Sequence, residues 1–147
     1  MSRLRRAPRR RSREVALQVL YALDVAAGEE GAGSPAQEVF ESAAAHFELP
    51  EGARAFAKEL VLGVAERRAV LDDQIRRHAA HWRIERMAAV DRNVLRLAAY
   101  EITCTDTPVA VVIDEAIELA RRFGGEPSPA FVNGVLDALA REVEAAR

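Results

Sequence analysis

The sequence predicts an all-α protein of six to seven helices. Apolar residues recur at the three- and four-residue spacing of a helix face along most of the chain. No segment alternates apolar and polar residues in the way that a half-buried strand requires. Ser-Pro, Thr-Pro and Gly-Gly pairs separate the periodic stretches at helix-sized intervals. At 147 residues the chain fits a basic N-terminal arm (1–11) followed by a single helical domain (12–147).

The first two helices are predicted on either side of a glycine-rich loop. Ser12 is a good N-cap residue, so the first helix is expected to run from about Ser12 to about Ala27. Ser34-Pro35 then supplies a cap followed by a proline at the first helical position. The second helix is expected over 35–47. The residues predicted to face the core are Ala16, Val19, Leu20 and Leu23 in the first helix, and Val39, Ala43 and Phe47 in the second.

The third helix is predicted to begin at Pro50 and to break near Arg67-Arg68. Gly63 lies inside it, and since a glycine there costs about 0.5–1 kcal/mol relative to alanine, close helix packing is the expected reason. The fourth helix, "MAAVDRNVLRLAAYEI", resumes after this region. Its inward residues are predicted to be Val90, Val94, Leu97 and Ile102.

The last two helices have clear boundaries. Thr107-Pro108 opens one and Gly124-Gly125 stops it, with an apolar stripe of Ile113, Ala116, Ile117, Ala120 and Phe123. Ser128-Pro129 opens the other. Asn133-Gly134 is a strong hairpin signal, but the helical pattern continues through it, so Gly134 is predicted to mark another close approach of helices.

The composition excludes several classes of protein. No apolar run approaches the roughly 20 residues of a membrane helix. Glu14, Gln18 and Asp24 interrupt the stretch that would form the apolar part of a signal peptide. The single cysteine, Cys104, has no internal disulfide partner, which suits a reducing cytoplasm. A cytoplasmic protein is therefore expected, with a mitochondrial transit peptide as the alternative for the arginine-rich start.

Positive charge is concentrated at the N-terminus. Seven arginines precede the first acidic residue, Glu14, whereas the remainder of the chain has 14 basic and 23 acidic residues. Arg9, Arg10 and Arg13 can share one edge of a helix, and guanidinium groups suit the phosphates and bases of single-stranded RNA. A helix N-terminus at Ser12 would add further attraction for phosphate. The segregated charge predicts an anion site, with a disordered basic tail that attracts any polyanion as the alternative.

Catalytic and metal-binding signals are weak. His78 and His81 can share a helix face, but three arginines lie nearby and a third ligand is missing. Cys104 is predicted to be a small, partly buried residue. Neither a glycine-rich phosphate loop nor a nucleophile motif is present. We therefore expect no enzyme activity, no metal and no cofactor, and surface ion pairs from the acidic residues before Arg121 and Arg122.

Three stretches together resemble the NusB family of bacterial transcription antitermination factors. These are "RRRSREVALQVLYALD", "VDRNVLRLAAYEI" and "VAVVIDEAIELARRFGGEPSPAFVNGVLDALA". The resemblance covers nearly the whole chain and is weakest from about Gly28 to Arg83. It implies two packed three-helix subdomains, with boxA RNA of ribosomal-operon transcripts and the ribosomal protein NusE as partners. The complex would then join RNA polymerase.

The resemblance also assigns roles to individual residues. The family's RNA-binding arginines correspond to Arg9, Arg10, Arg11 and Arg13. Phe123 precedes a turn that lies near the RNA in the family. Arg3 to Arg6 are expected either to join these RNA contacts or to form a solvated tail. Tyr21 and Asp91 match positions that face NusE. The simpler interpretations are that Tyr21 covers the edge of the bundle and that Asp91 favours its helix N-terminus.

Other details leave alternatives open. In the family an acidic residue often stands at the position of Pro127. This departure affects the RNA contacts that the resemblance implies for that loop. Asn133 is predicted to satisfy backbone groups between helices. The functional alternatives are an accessory domain for RNA modification and a structural homodimer.

Overall fold

The computed structural model describes residues 3–27, 35–79 and 81–146, with side chains from Arg9 to Ala26 in the first range. These ranges form six α-helices and one 3₁₀ turn, and they contain no strand. The helices are α1 (Arg3–Ala27), α2 (Ala36–Ala44), α3 (Glu51–His78), α4 (Ala89–Cys104), α5 (Val109–Phe123) and α6 (Ser128–Ala145), with the 3₁₀ turn (Ile84–Arg86) between α3 and α4. The predicted all-α fold is confirmed. None of the described helices is long and apolar enough to cross a membrane.

The chain divides into two compact units, residues 1–66 and 67–147, and the boundary lies within α3. In the first unit α1 packs against α2. Its core includes Val15 of α1, Phe40 of α2 and Leu60 of α3, each fully buried. Burial of a large apolar side chain contributes about 1.5–3 kcal/mol, so these residues dominate the stability of the unit.

In the second unit α4, α5 and α6 all pack against one another. Residues 93–102 of α4 are buried without interruption, so this helix has no solvent-facing side over nearly three turns. Arg96 lies within this stretch and donates hydrogen bonds to both carboxylate oxygens of Asp72, from Nε to Oδ1 (2.7 Å) and from Nη2 to Oδ2 (3.0 Å). A buried charge is tolerated when it is paired in this bidentate way.

The predicted start of the first helix is wrong. The helix begins at Arg3, so Ser12 lies well inside α1 rather than at its N-cap. The Ser12 hydroxyl instead donates a buried 2.7 Å hydrogen bond to the backbone oxygen of Ala53 on α3. Arg9 to Arg13 are thus part of a continuous helix, and the first-turn N–H groups that were expected to attract phosphate there are engaged in it.

Two of the predicted core faces are displaced by one residue. In α2, Phe40 and Ala44 are buried, whereas the predicted Val39 and Ala43 are only half-buried. The predicted Phe47 is half-buried and lies beyond the end of the helix. In α5, the predicted Phe123 is exposed and Ile113 and Ile117 are half-buried. The buried residues of α5 are Val112, Glu115, Ala116, Leu119 and Ala120. Both helices carry two neighbouring apolar stripes, and periodicity alone does not choose between them.

Prolines take the cap positions that Ser34 and Thr107 were predicted to hold. Pro35 is the N-cap of α2 and Pro108 that of α5, with φ near −55° and ψ of 136° in both, and no side-chain hydrogen bond caps either helix. The backbone values are those that a proline ring favours before a helix. Ser34 itself lies outside the described residues.

The break predicted near Arg67-Arg68 is wrong, because α3 is continuous from Glu51 to His78. Residues 65–70 are exposed on every side of the helix. Alanine, glutamate and arginine make up five of these six positions, and they are strong helix formers. Intrinsic propensity therefore keeps α3 helical where packing does not.

Two glycine predictions have opposite outcomes. Gly124 ends α5 as predicted, and a Cβ there would lie 2.7 Å from the Ala120 oxygen. The helix runs through Asn133-Gly134 as predicted, but a Cβ at Gly134 would have no atom within 4 Å, so the predicted close approach is wrong. Asn133 is exposed, and its predicted role between helices is wrong too.

Candidate nucleic-acid interface

Arg9, Arg10, Arg11 and Arg13, here called the α1 arginine cluster, lie on consecutive turns of one helix but differ in exposure. Arg10 is exposed, Arg9 and Arg11 are half-buried, and Arg13 is only 3% exposed. The side chains of Arg3 to Arg6 lie outside those described. The cluster is therefore graded, and Arg10 is its most accessible member.

Aromatic rings hold three of the four arginines. The guanidinium carbon of Arg9 lies 4.5 Å from the centre of the Phe56 ring, and that of Arg13 lies 5.5 Å from the same centre. Arg11 lies 5.3 Å from the centre of the Phe47 ring. Such cation–π contacts favour one direction of a long side chain, so Arg9, Arg11 and Arg13 are oriented before any ligand binds.

An acidic residue also contacts the cluster. Arg11 donates a 3.1 Å hydrogen bond from Nη1 to Oε2 of Glu14, whose side chain is 9% exposed. This pair offsets part of the positive charge of the cluster. Since Glu14 is the first acidic residue of the chain, the local balance on this part of α1 remains strongly positive.

Tyr21 lies on α1 about two turns beyond the cluster, in the same unit. It is 43% exposed, and Val25, one turn further, is 57% exposed. Residues four apart share a helix face, so the two form an exposed apolar surface with a phenolic hydroxyl at one end. Exposure of this kind is typical of an interface residue, and Val25 was not singled out in the sequence.

Asp91 lies in the first turn of α4, where a carboxylate interacts favourably with the helix dipole. Its Oδ1 atom is buried and has no hydrogen-bond partner among the described residues. The side chain lines an apolar pocket of about 250 Å³ together with Trp82, Met87, Pro127 and Phe131. A buried carboxylate oxygen without a donor is uncommon in a finished structure, so this position is suited to a donor from a partner.

Phe123 is the last residue of α5 and is 38% exposed. The guanidinium carbon of its neighbour Arg122 lies 5.3 Å from the centre of the ring. Gly125 donates a 3.0 Å backbone hydrogen bond to the Ser128 hydroxyl, which closes the turn toward α6. Phe123 and Asp91 belong to the second unit, whereas the α1 arginine cluster and Tyr21 belong to the first.

Neither the histidines nor the cysteine form a metal site in the described chain. His78 is hydrogen-bonded through Nε2 to Glu142 at 2.9 Å, and His81 is exposed. Cys104 is exposed at the end of α4, so its predicted partial burial is wrong. Within the described ranges, no group of three or more potential ligands is close enough to hold a metal ion.

Comparisons with known proteins relate the chain to one family. Residues 10–141 match the model of the NusB family. The transcription antitermination protein NusB of Solibacter usitatus is 50% identical over 143 residues, which cover 93% of this chain and 91% of that protein. The structure of NusB from T. maritima is 36% identical with a TM-score of 0.81, over 91% of both chains. A complex of the antitermination factors NusB and NusE with double-stranded RNA contains a chain that is 27% identical, with a TM-score of 0.79, over 92% of this chain and 98% of that chain.

Proposed function

The chain belongs to the NusB family, and we propose that it is a non-enzymatic, RNA-binding adaptor in transcription antitermination. In this proposal it acts in the cytoplasm and binds the boxA element of nascent ribosomal-operon RNA together with the ribosomal protein NusE. The bound complex then joins RNA polymerase. The relative solved with NusE and RNA supports this choice of partners.

The observation that carries the proposal is the α1 arginine cluster in a chain that is otherwise acidic. Phosphate contacts by arginine supply much of the affinity of a protein for RNA, and they make it dependent on salt. Arg10 is exposed, and Arg9 and Arg11 remain accessible in part. Phe123 is a candidate to stack on an unpaired base, since exposed aromatic rings do so in many RNA-binding proteins.

Two separate partner contacts are proposed, one in each unit. Tyr21 and Val25 offer an exposed apolar face on α1. Asp91 offers a buried oxygen that has no donor among the residues the structure describes, and a backbone N–H or a cationic side chain of NusE would satisfy it. Replacing Tyr21 by alanine is expected to weaken NusE binding without loss of RNA binding by the isolated chain.

A gel-shift assay tests the proposal. The chain is mixed with boxA RNA or with a scrambled RNA of equal length, with and without NusE. We expect boxA to be preferred, most strongly with NusE present, and Arg10→Ala to reduce binding. Arg141→Ala serves as the matched control, because Arg141 is an exposed arginine of α6 that pairs with Asp137. Equal binding of both RNAs with NusE present would contradict sequence-directed antitermination.

Light scattering of the same samples addresses the structural-homodimer alternative. A dimer that persists with boxA RNA present, and that protects the α1 arginine cluster, would favour that alternative. A modification role would instead require stoichiometric binding of a cofactor, which calorimetry measures directly.

A further inference from the structure

A second basic surface lies in the second unit, where the chain connects α3 to α4. An open pocket of about 600 Å³ is found there, within the size range of small-ligand sites. Its polar and aromatic lining is Arg76, His81, Trp82, Arg83, Glu85 and Arg86. The lining contains three arginines and one glutamate, so its net charge is positive and the pocket is suited to an anion.

Trp82 is held in place but remains exposed. Its ring packs edge-to-face against Phe131, with 5.8 Å between ring centroids and an interplanar angle of 69°. Even so, Trp82 is 61% exposed. An indole ring is one of the largest apolar groups that a protein can bury. A fixed indole ring left open to solvent is a platform on which another flat ring can stack.

The backbone beneath the pocket is also fixed. Arg92 of α4 donates hydrogen bonds from Nη1 to the backbone oxygens of Ile84 (3.1 Å) and Met87 (3.2 Å). The 3₁₀ turn adds a backbone hydrogen bond of 2.9 Å from Arg86 to Arg83. Arg83 and Arg86 therefore project from an anchored turn.

The charges in the pocket are only partly compensated. Arg76 donates to Glu85 at 3.0 Å and to Asp73 at 3.1 Å. The pKa of Glu85 is lowered by a hydrogen bond from its own backbone and by Arg76, so this carboxylate stays ionised and is already engaged. Arg83 also lowers the pKa of Glu85 by charge attraction, but across the described part of the chain no hydrogen bond or ion pair engages the guanidinium of Arg83 or of Arg86. These two groups are available to a ligand.

We propose that this pocket binds one unpaired nucleotide of an RNA strand, with the base stacked on Trp82 and a neighbouring phosphate held by Arg83 and Arg86. A stacking ring beside guanidinium groups is the combination that single-stranded nucleic acid requires. An acidic peptide would use the arginines but would leave the exposed indole face without a flat partner. The choice of RNA as ligand rests on the proposed function, and the pocket adds a contact that the α1 arginine cluster does not include.

Trp82 is the only tryptophan of the chain, so its fluorescence reports on the surroundings of this one ring, which lines both this pocket and the Asp91 pocket. The full chain is titrated at low salt with single-stranded RNA of roughly ten nucleotides, in a boxA and a uridine-only version. We expect both RNAs to quench the emission. In a gel shift, which does not depend on tryptophan emission, Trp82→Ala is expected to weaken binding roughly tenfold, the scale of one lost stacking contact, whereas Trp82→Phe, which keeps a ring, weakens it much less.

Charge variants separate this pocket from the α1 arginine cluster. The double variant Arg83→Ala, Arg86→Ala is expected to lower the affinity and to reduce the quenching at saturation. Arg10→Ala should lower the affinity but leave the quenching at saturation unchanged, and Arg141→Ala should change neither. Thermal unfolding of each variant verifies that the fold is retained.

The outcomes distinguish the two proposals. RNA that saturates the chain in a gel shift without changing Trp82 emission would overturn the pocket and leave the proposed function intact. If RNA quenches the emission but Arg10→Ala does not lower the RNA affinity and boxA is not preferred, the pocket would be supported and the proposed function contradicted. Quenching by NusE or an acidic peptide, but not by RNA, would show a protein-binding surface and overturn the inference.

Discussion

Arg9 and Arg13 of α1 both contact the ring of Phe56, with their guanidinium carbons 4.5 Å and 5.5 Å from its centre. The two arginines are one helical turn apart, so a single aromatic side chain of α3 orients both. Arg13 is almost fully buried, whereas Arg10 is exposed. The members of one basic motif therefore have different physical roles.

Alanine substitutions should separate these roles. Arg10→Ala is expected to change the unfolding midpoint less than Arg13→Ala does, and to reduce the slope of log affinity against log salt by about 0.7, the value of one phosphate contact with a single strand. Arg13→Ala removes a desolvated cation–π contact and buried apolar stem, and is expected to lower the free energy of unfolding by about 1–3 kcal/mol. Urea unfolding and RNA titrations at several salt concentrations measure both. An Arg13→Ala variant of full stability with the larger loss in salt slope would contradict the assignment.

Two glycines provide a matched test of the packing. At Gly124 an added Cβ would lie 2.7 Å from the backbone oxygen of Ala120 and 2.8 Å from Cβ of Ser128. Gly124→Ala is therefore expected to destabilise the chain by about 1–3 kcal/mol. Gly134→Ala meets no atom within 4 Å in a helix interior, and should stabilise it by about 0.5–1 kcal/mol. Calorimetric melting of both variants should show shifts of opposite sign, and shifts of the same sign would contradict the helix packing described.

Removing one partner of the ion pair between Asp72 and Arg96 should lower the free energy of unfolding far more than replacing both partners by apolar residues. Arg96 is 4% exposed and Asp72 is 11% exposed in their side chains. Asp72→Asn leaves a buried guanidinium without its charge partner, and a loss of about 3–5 kcal/mol is expected. The double variant Asp72→Leu, Arg96→Met should lose much less, because neither charge of the pair is left buried without the other. Denaturant unfolding of Asp72→Leu, Arg96→Met and the double variant gives the double-mutant cycle, and additive losses would show that the two residues are not coupled.

Glu142 predicts a specific dependence of stability on pH. Hydrogen bonds from Arg77 and then from His78 hold its pKa below the ordinary value of 4.5. A carboxylate with a depressed folded-state pKa stabilises the fold above its unfolded pKa, and that contribution is lost as the pH falls through the folded value. Glu142→Gln should therefore be less stable than the parent chain at neutral pH, and the difference should shrink as the pH falls from about 4.5 through the lower folded-state pKa. Chemical denaturation between pH 3 and pH 7 measures the difference, and a gap that persists at the acid end would rule out this origin.

Local signals in the sequence predict the helices and the basic segment but not their long-range partners. The end of α5 at Gly124 could be predicted, because the atoms that restrict the space around this residue belong to Ala120 and Ser128, four residues away in the chain. Ser12 has the side chain of an N-cap, but its hydroxyl bonds to Ala53, 41 residues away. The choice between Val39 and Phe40 as the core residue of α2 also depends on what packs against the helix. These outcomes require the tertiary structure.

The same distinction applies to the candidate site. The segregation of arginine is visible in the sequence, and it identifies the α1 arginine cluster. The burial of Arg13 is not visible there, because it depends on Phe56 of another helix. Trp82 did carry a signal, since the only tryptophan of the chain stands in a polar, arginine-rich connection. Its meaning emerges only when the structure shows the ring exposed.

The continuous helix through Arg9 and Arg13 limits how much of an RNA strand this segment can span. An α-helix rises 1.5 Å per residue, so the four steps from Arg9 to Arg13 cover about 6 Å. Phosphates of one strand in a duplex advance by about 3.4 Å along the axis. The α1 arginine cluster thus matches the length of about two phosphates, and an extended polybasic tail of equal size would reach twice as far. A longer footprint on RNA requires binding surface elsewhere on the protein.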